Sequence, residues 1–159
     1  MKDREISKIV KKEVDELSKL LNLECKYKLE IEEGEDDIKI IKVAFEGEDL
    51  GYMIGNHGRH LDSVQYVMSL ILRRKFEEDF HFIVMVDAAG YREERNSKIE
   101  EIAMRKADDA RLLGEPLDLD PMKPSDRRIV HMILQRFDDI TTESQGEGRD
   151  RYVRIIPNK

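Results

Sequence analysis

The stretch Ile54-Gly55-Asn56-His57-Gly58-Arg59 separates two segments whose apolar residues recur at helical spacing. Two glycines bracket two polar residues, and a cation follows. Lacking a Cβ, glycine lets the backbone bend sharply and lets another backbone come within hydrogen-bonding distance. Such a loop at the start of a helix presents free N–H groups and the positive end of the helix dipole to a phosphate. Taken alone, the same spacing equally describes a tight interhelical turn in which glycine only permits close packing. The neighbouring elements decide between these readings.

Upstream, Ile6, Ile9, Val10, Leu17, Leu20 and Leu21 predict an amphipathic helix. Cys25, Tyr27, Leu29 and Ile31 then alternate with Lys26, Lys28, Glu30 and Glu32, the pattern of a strand with one buried face. Gly34-Glu35-Asp36-Asp37 is a polar turn. A second strand runs through Ile38, Ile40, Val43 and Phe45, and its inward phase slips at Ile40-Ile41, which predicts a β-bulge. Gly47 to Met53 predicts at most a short helix. After the loop, Leu61, Val64, Met68 and Ile71 mark a longer helix ending near Arg73-Arg74-Lys75, cations suited to a negative helix terminus. Phe80 to Val86 is a third strand, expected to be covered on both faces. The order α-β-β-α-α-β is complete near Asp87.

A second unit follows Ala88-Ala89-Gly90. Ile99, Ile102, Ala103, Ala107, Ala110 and Leu113 predict a helix stopped by Gly114 and Pro116. Leu117 and Leu119 form a short extended piece. Pro124 suits the first position of the next helix, which carries Ile129, Val130, Ile133, Leu134 and Phe137. A hairpin closes the chain, from Ile140 to Ser144 and from Tyr152 to Ile156, with a turn at Gln145-Gly146-Glu147-Gly148. The fold class is α+β, with domains expected over residues 1–89 and 90–159.

The chain has 159 residues, room for one ordinary domain or two small ones. Charged residues make up 40%, against about 25% in typical proteins, so the exterior is heavily solvated. A single Cys25 excludes an internal disulfide framework. No apolar run approaches membrane-spanning length and the first residues lack a hydrophobic signal core, so the expectation is a cytoplasmic protein with no membrane insertion. The net charge of −7 argues against a nucleic-acid partner. The acids are unevenly placed, however: Glu30, Glu32, Glu33, Glu35, Asp36 and Asp37 crowd one segment. Arg59, Arg73, Arg74 and Lys75 lie in or after the glycine loop, with Asp62 the only acid among them.

Read as a binding loop, Gly55 and Gly58 permit backbone approach, Asn56 and His57 face the bound strand, and Ile54, Leu61 and Val64 form an apolar wall for splayed bases. A second motif, Arg127-Arg128-Ile129-Val130-His131, places Arg127 and His131 four apart on one helical face. There a guanidinium grips phosphate while an imidazole stacks on a base; the plainer account is a solvated Arg beside a His capping a small core. Arg128 points elsewhere, and Arg149, Arg151 and Arg154 widen the basic surface, which Glu147 and Asp150 partly cancel. Other chemistry is thin. His57 and His60 have metal-pair spacing but no accompanying ligands, Asp87 ends a strand without a partner, and no Walker, Ser-His-Asp or dinucleotide signature is present. Neither catalysis, a cofactor nor a metal site is indicated.

The element order and Gly51-Tyr52-Met53-Ile54-Gly55-Asn56-His57-Gly58-Arg59-His60-Leu61-Asp62-Ser63-Val64-Gln65-Tyr66 resemble a type II KH domain. Pro121 to His131, followed by Thr142 to Gly148, resembles the small α+β domain named for its Arg-x-x-x-His motif, written R-3-H here. The pair in this order, joined by Asp87-Ala88-Ala89-Gly90-Tyr91-Arg92, resembles the bacterial Jag/KhpB family, also called SpoIIIJ-associated. In that family a basic residue often occupies the loop where Asn56 and His57 stand, and an Asn commonly caps the helix where Lys123 stands. The resemblance implies a non-catalytic single-stranded RNA-binding protein, with single-stranded DNA left open. Ile54, Gly55, Asn56, His57, Gly58, Arg59, Arg127, Arg128 and His131 would be its contact residues. It further implies pairing with a small separate KH protein or a second copy, an RNA-chaperone or post-transcriptional role, and links to cell-envelope growth and cell length. The rival expectation is a protein-docking or dimerisation module with little nucleic-acid affinity.

Overall fold

The computed structural model describes residues 1–158. The chain divides into two compact units, Met1–Arg92 and Glu93 onward.

The first unit follows the predicted order. Helix α1 (Asp3–Leu20) opens at Lys2, whose backbone N–H donates to Glu5 Oε2 at 3.1 Å. Ile6, Val10 and Val14 form its buried stripe. Strands β1 (Lys26–Glu33) and β2 (Lys39–Glu46) pair antiparallel, and β2 pairs parallel with β3 (Phe82–Ala88). Between β2 and β3 lie α2 (Gly51–Ile54), a tight turn over Asn56–Gly58, and α3 (Arg59–Lys75). Ile41, Val43 and Phe45 of β2 and Val84, Val86 and Ala88 of β3 meet Leu61, Met68 and Leu72 of α3 in one core.

Two strand expectations are overturned. No bulge interrupts β2: its register with β1 is continuous through Glu32↔Ile40 and Ile31↔Ile41. The inward residues are Ile41, Val43 and Phe45, while Ile40 belongs to the opposite face and lies against Gly34. An apolar residue on the outer face imitated a phase slip. Nor is β3 covered on both faces. Phe82, Val84, Val86 and Ala88 are buried, whereas Ile83 and Met85 are 51% and 44% exposed. The helices of this unit cover one face of the sheet, leaving the other to solvent.

Helix α4 (Tyr91–Leu113) begins at the end of the first unit, where Tyr91 packs on the first core. In the second unit α4 and α5 (Pro124–Leu134) pack against a sheet of order β4-β6-β5, formed by Leu117–Asp118, Tyr152–Pro157 and Ile140–Gln145. Pro124 is the first residue of α5, where its missing N–H and fixed φ cost nothing. Ile99, Ala103, Ala107 and Ala110 bring α4 close to Val130, Leu134, Val153 and Ile155. Alanines every third or fourth residue allow that approach. A link absent from the sequence reading ties the two helices: Arg95 Nη2 donates to Asp126 Oδ2 at 2.8 Å, and Asp126 is almost wholly buried.

Candidate nucleic-acid interface

The glycine loop turns on the first of its glycines. Gly55 sits at φ 67°, ψ −171°, a region essentially open to glycine alone. A Cβ there would lie 2.3 Å from Cγ of His60. Gly58 adopts φ 77° and is buried beneath the start of α3. His57 shares the left-handed region at φ 53°, which sets the exposed Asn56 and His57 at the apex of the turn. The N–H groups of Gly58 and Arg59 turn inward to Gly55 O and Asn56 O. Among the described residues, no backbone acceptor takes the Asn56 or His57 N–H. Two amide donors therefore point to solvent beside exposed Arg59, at the positive end of α3.

The apolar wall differs from expectation. Leu61 is fully buried in the core, and Ile54 and Val64 are half-buried against it. Beside the loop lies a cleft of about 280 Å³ lined by Leu21, Leu23, Tyr52, Met53, His60, Ser63 and Val64. Tyr52 is 78% exposed and meets the His60 ring edge-on, with centroids 6.1 Å apart. His60 Nδ1 lies 2.9 Å from Tyr52 O, which fixes the imidazole. Tyr52 and His60 take the place assigned to Leu61. Helical spacing marked Leu61 as apolar but could not say which way it faced; two rings flanking a glycine loop were the available signal.

The cations are also rearranged. Along α3, Arg73 lies about 21 Å beyond Arg59, at 1.5 Å per residue, so the Arg73-Arg74-Lys75 trio occupies the far end of the helix. Arg73 covers the Phe82 ring at 4.8 Å, and Lys75 pairs with buried Glu13 at 3.0 Å. Asp87 is a helix cap, its Oδ1 accepting the Arg92 N–H at 3.2 Å.

In the second unit, Arg127 and His131 share a face of α5 as their spacing requires. The Arg127 Nη1 donates to Met122 O at 2.9 Å, which orients its guanidinium. His131 is held along both ring nitrogens, with Nδ1 2.7 Å from Thr142 Oγ1 and Nε2 2.9 Å from Ser144 Oγ on β5. Burial, then the charge of Arg127, lowers its pKa below the ordinary histidine value, so it is neutral at neutral pH. Arg128 is exposed on the adjoining face. Arg154 leaves the basic surface: it forks onto Asp118 at 2.6 and 2.8 Å and holds that carboxyl below the usual carboxylate range. Arg127, Arg128, Arg149 and Arg151 are the cations of this region that form no salt bridge among the described residues. Those residues hold no group of three His, Cys, Asp or Glu placed for a metal, and no helix among them is long and apolar enough to cross a membrane.

The family model of the KhpA/KhpB KH domain matches residues 11–86, and that of the R-3-H domain matches residues 95–157. The class is thus a KH domain followed by an R-3-H domain. The chain is 35% identical over 117 residues to the RNA-binding protein KhpB of Clostridium symbiosum, covering 74% of this chain and 52% of that one. It is 30% identical over 119 residues to RNA-binding protein KhpB of Bacillus subtilis strain 168, covering 74% and 56%. With the protein of that name from Streptococcus pneumoniae D39 it shares 29% over 115 residues, covering 72% and 34%. The chain belongs to the Jag/KhpB family. It spans about half or less of the length of the curated relatives it matches.

Proposed function

We propose that the chain is a non-catalytic, single-stranded RNA-binding protein, with single-stranded DNA as a competing ligand. The observation that carries this reading is the pair of outward amides at Asn56 and His57, set beside a cleft walled by Tyr52 and His60. A backbone phosphate accepts from the amides and from Arg59, and a splayed base enters the cleft and lies against the Tyr52 ring. Ile54, Gly55 and Gly58 shape that loop. The second contact is the Arg127, Arg128 and His131 face, with Arg149 and Arg151 beside it. Two modest sites on one chain raise each other's effective concentration, which offsets the acidic net charge. The relatives named above are RNA-binding proteins, in line with this reading. A cytoplasmic location, a chaperone or post-transcriptional role, and a link to cell-envelope growth and cell length accompany it by family resemblance.

The test is a titration of labelled oligouridylate at two salt concentrations. Binding that weakens steeply with salt supports the reading, because phosphate contacts release counterions. The variant Asn56→Asp with His57→Asp should bind several-fold less tightly while folding normally; unchanged affinity would remove the loop from the mechanism. One observation favours the second reading, a docking or dimerisation module for a small KH protein or a second copy. Tyr66, Val67 and Leu70 form an exposed apolar stripe on α3. A stable protein complex without RNA affinity would decide for it.

A further inference from the structure

The first turn of α3 contains an acid, Asp62, where the proposed phosphate site needs positive field. It lies three residues after Arg59, about 5 Å along the helix axis. That axial offset is shorter than a Debye length, about 8 Å at physiological ionic strength, so the charge is incompletely screened at the helix start. Arg92 answers this charge. Its Nη1 donates to Asp62 Oδ1 at 3.1 Å, its Nη2 to Gln65 Oε1 at 2.9 Å, and its Nε to Val86 O at 2.8 Å. Its backbone N–H donates to Asp87 Oδ1 at 3.2 Å. The planar fork is therefore locked on three acceptors from two elements, which holds the cation in one position beside Asp62.

We propose that Arg92 is a positioning residue for RNA binding: it neutralises Asp62 and keeps the field over the Asn56–His57 amides positive. The inference rests on the RNA-binding reading and adds a residue from outside the loop and the first turn of α3. Arg92 need not touch RNA. It acts through the carboxylate it pairs with, in the first turn of the helix that follows the loop.

The experiment uses the full chain and labelled oligouridylate. Arg92→Gln should weaken binding about threefold, the scale of one partly screened surface charge. Adding Asp62→Asn to that variant should restore native affinity, since the offending charge is then gone. Arg92→Lys keeps the cation but not the fork; it should bind nearly as the native chain while melting at a lower temperature. A purely structural role predicts the reverse, with Lys failing like Gln and Asp62→Asn restoring nothing, and either result overturns the inference. A native chain that binds no RNA refutes the RNA reading instead. Inorganic phosphate, followed by the backbone amide shifts of Asn56 and His57, then decides the inference. A response weakened by Arg92→Gln and restored by Asp62→Asn supports it; no native response, or one indifferent to Arg92, overturns it.

Discussion

The two units present their polar groups in opposite ways. In the KH unit the donors are backbone amides, exposed by a turn that Gly55 enters in a conformation essentially closed to other residues. In the R-3-H unit the polar groups are side chains, and the two of the motif are held by neighbours: Arg127 by Met122 O, His131 by Thr142 and Ser144. The first site depends on chain conformation and tolerates many identities at its apex, so a family loop with a basic residue and this one with Asn56-His57 can share a geometry. The second depends on identities and on the partners that fix them.

The largest expected effect tests the scaffold behind the second site. Asp126→Ala strands Arg95 and should cost about 3 kcal/mol of second-unit stability, as breaking a buried pair does. Urea denaturation followed by amide signals from β5 and β6 measures it, and a loss under 1 kcal/mol, the scale of a surface pair, would show that the link is dispensable. Next comes the backbone site. Gly55→Ala forces a Cβ against the His60 ring at a glycine-only φ and ψ, for about 2 kcal/mol and a lost RNA response. A variant that folds and binds as the native chain would end the claim that conformation makes this site.

The third prediction concerns His131. Its folded pKa is lowered, so the unfolded chain takes up the proton first as pH falls. The stability it contributes is complete above about pH 6.5, the unfolded value, and is lost as pH drops through the folded value. Amide exchange of β5 across this range should show protection declining on acidification, with His131→Gln flattening the decline. An equally steep decline in that variant would move the titration elsewhere. The smallest effect separates two arginines. Arg127→Ala should reduce the slope of log affinity against log salt by about one, whereas Arg154→Ala, already committed to Asp118, should leave it unchanged. Equal slopes for both would erase the distinction between free and paired cations.

Much of this arrangement was legible in the residues. Element order followed from apolar spacing, and Pro124 announced the start of α5. The loop became readable through the order of the elements around it, since two close glycines alone equally describe a tight turn. What escaped has a common cause, since periodicity reports that a residue is apolar but not which neighbour claims it. Ile40 imitated a bulge, Ile83 and Met85 imitated a doubly covered strand, and Leu61 was assigned to a groove although the core had taken it. Charges escaped for a related reason. Arg154 was expected to widen the basic surface, but Asp118 stands opposite it on the adjacent strand, thirty-six positions away in sequence. Arg92 and Arg95, three residues apart in ordinary polar sequence, gave no local sign of Asp62 or Asp126.

One strand detail reaches beyond ligand recognition. β3 ends its sheet, yet at Val86 its outward N–H goes to Gln65 Oε1 at 3.0 Å and its outward carbonyl takes the Arg92 Nε–H. Side chains thus occupy positions that another polypeptide would need for edge-to-edge accretion. With the exposed apolar side chains of Ile83 and Met85 close by, occupying those positions leaves this edge a poorer template for a stray strand.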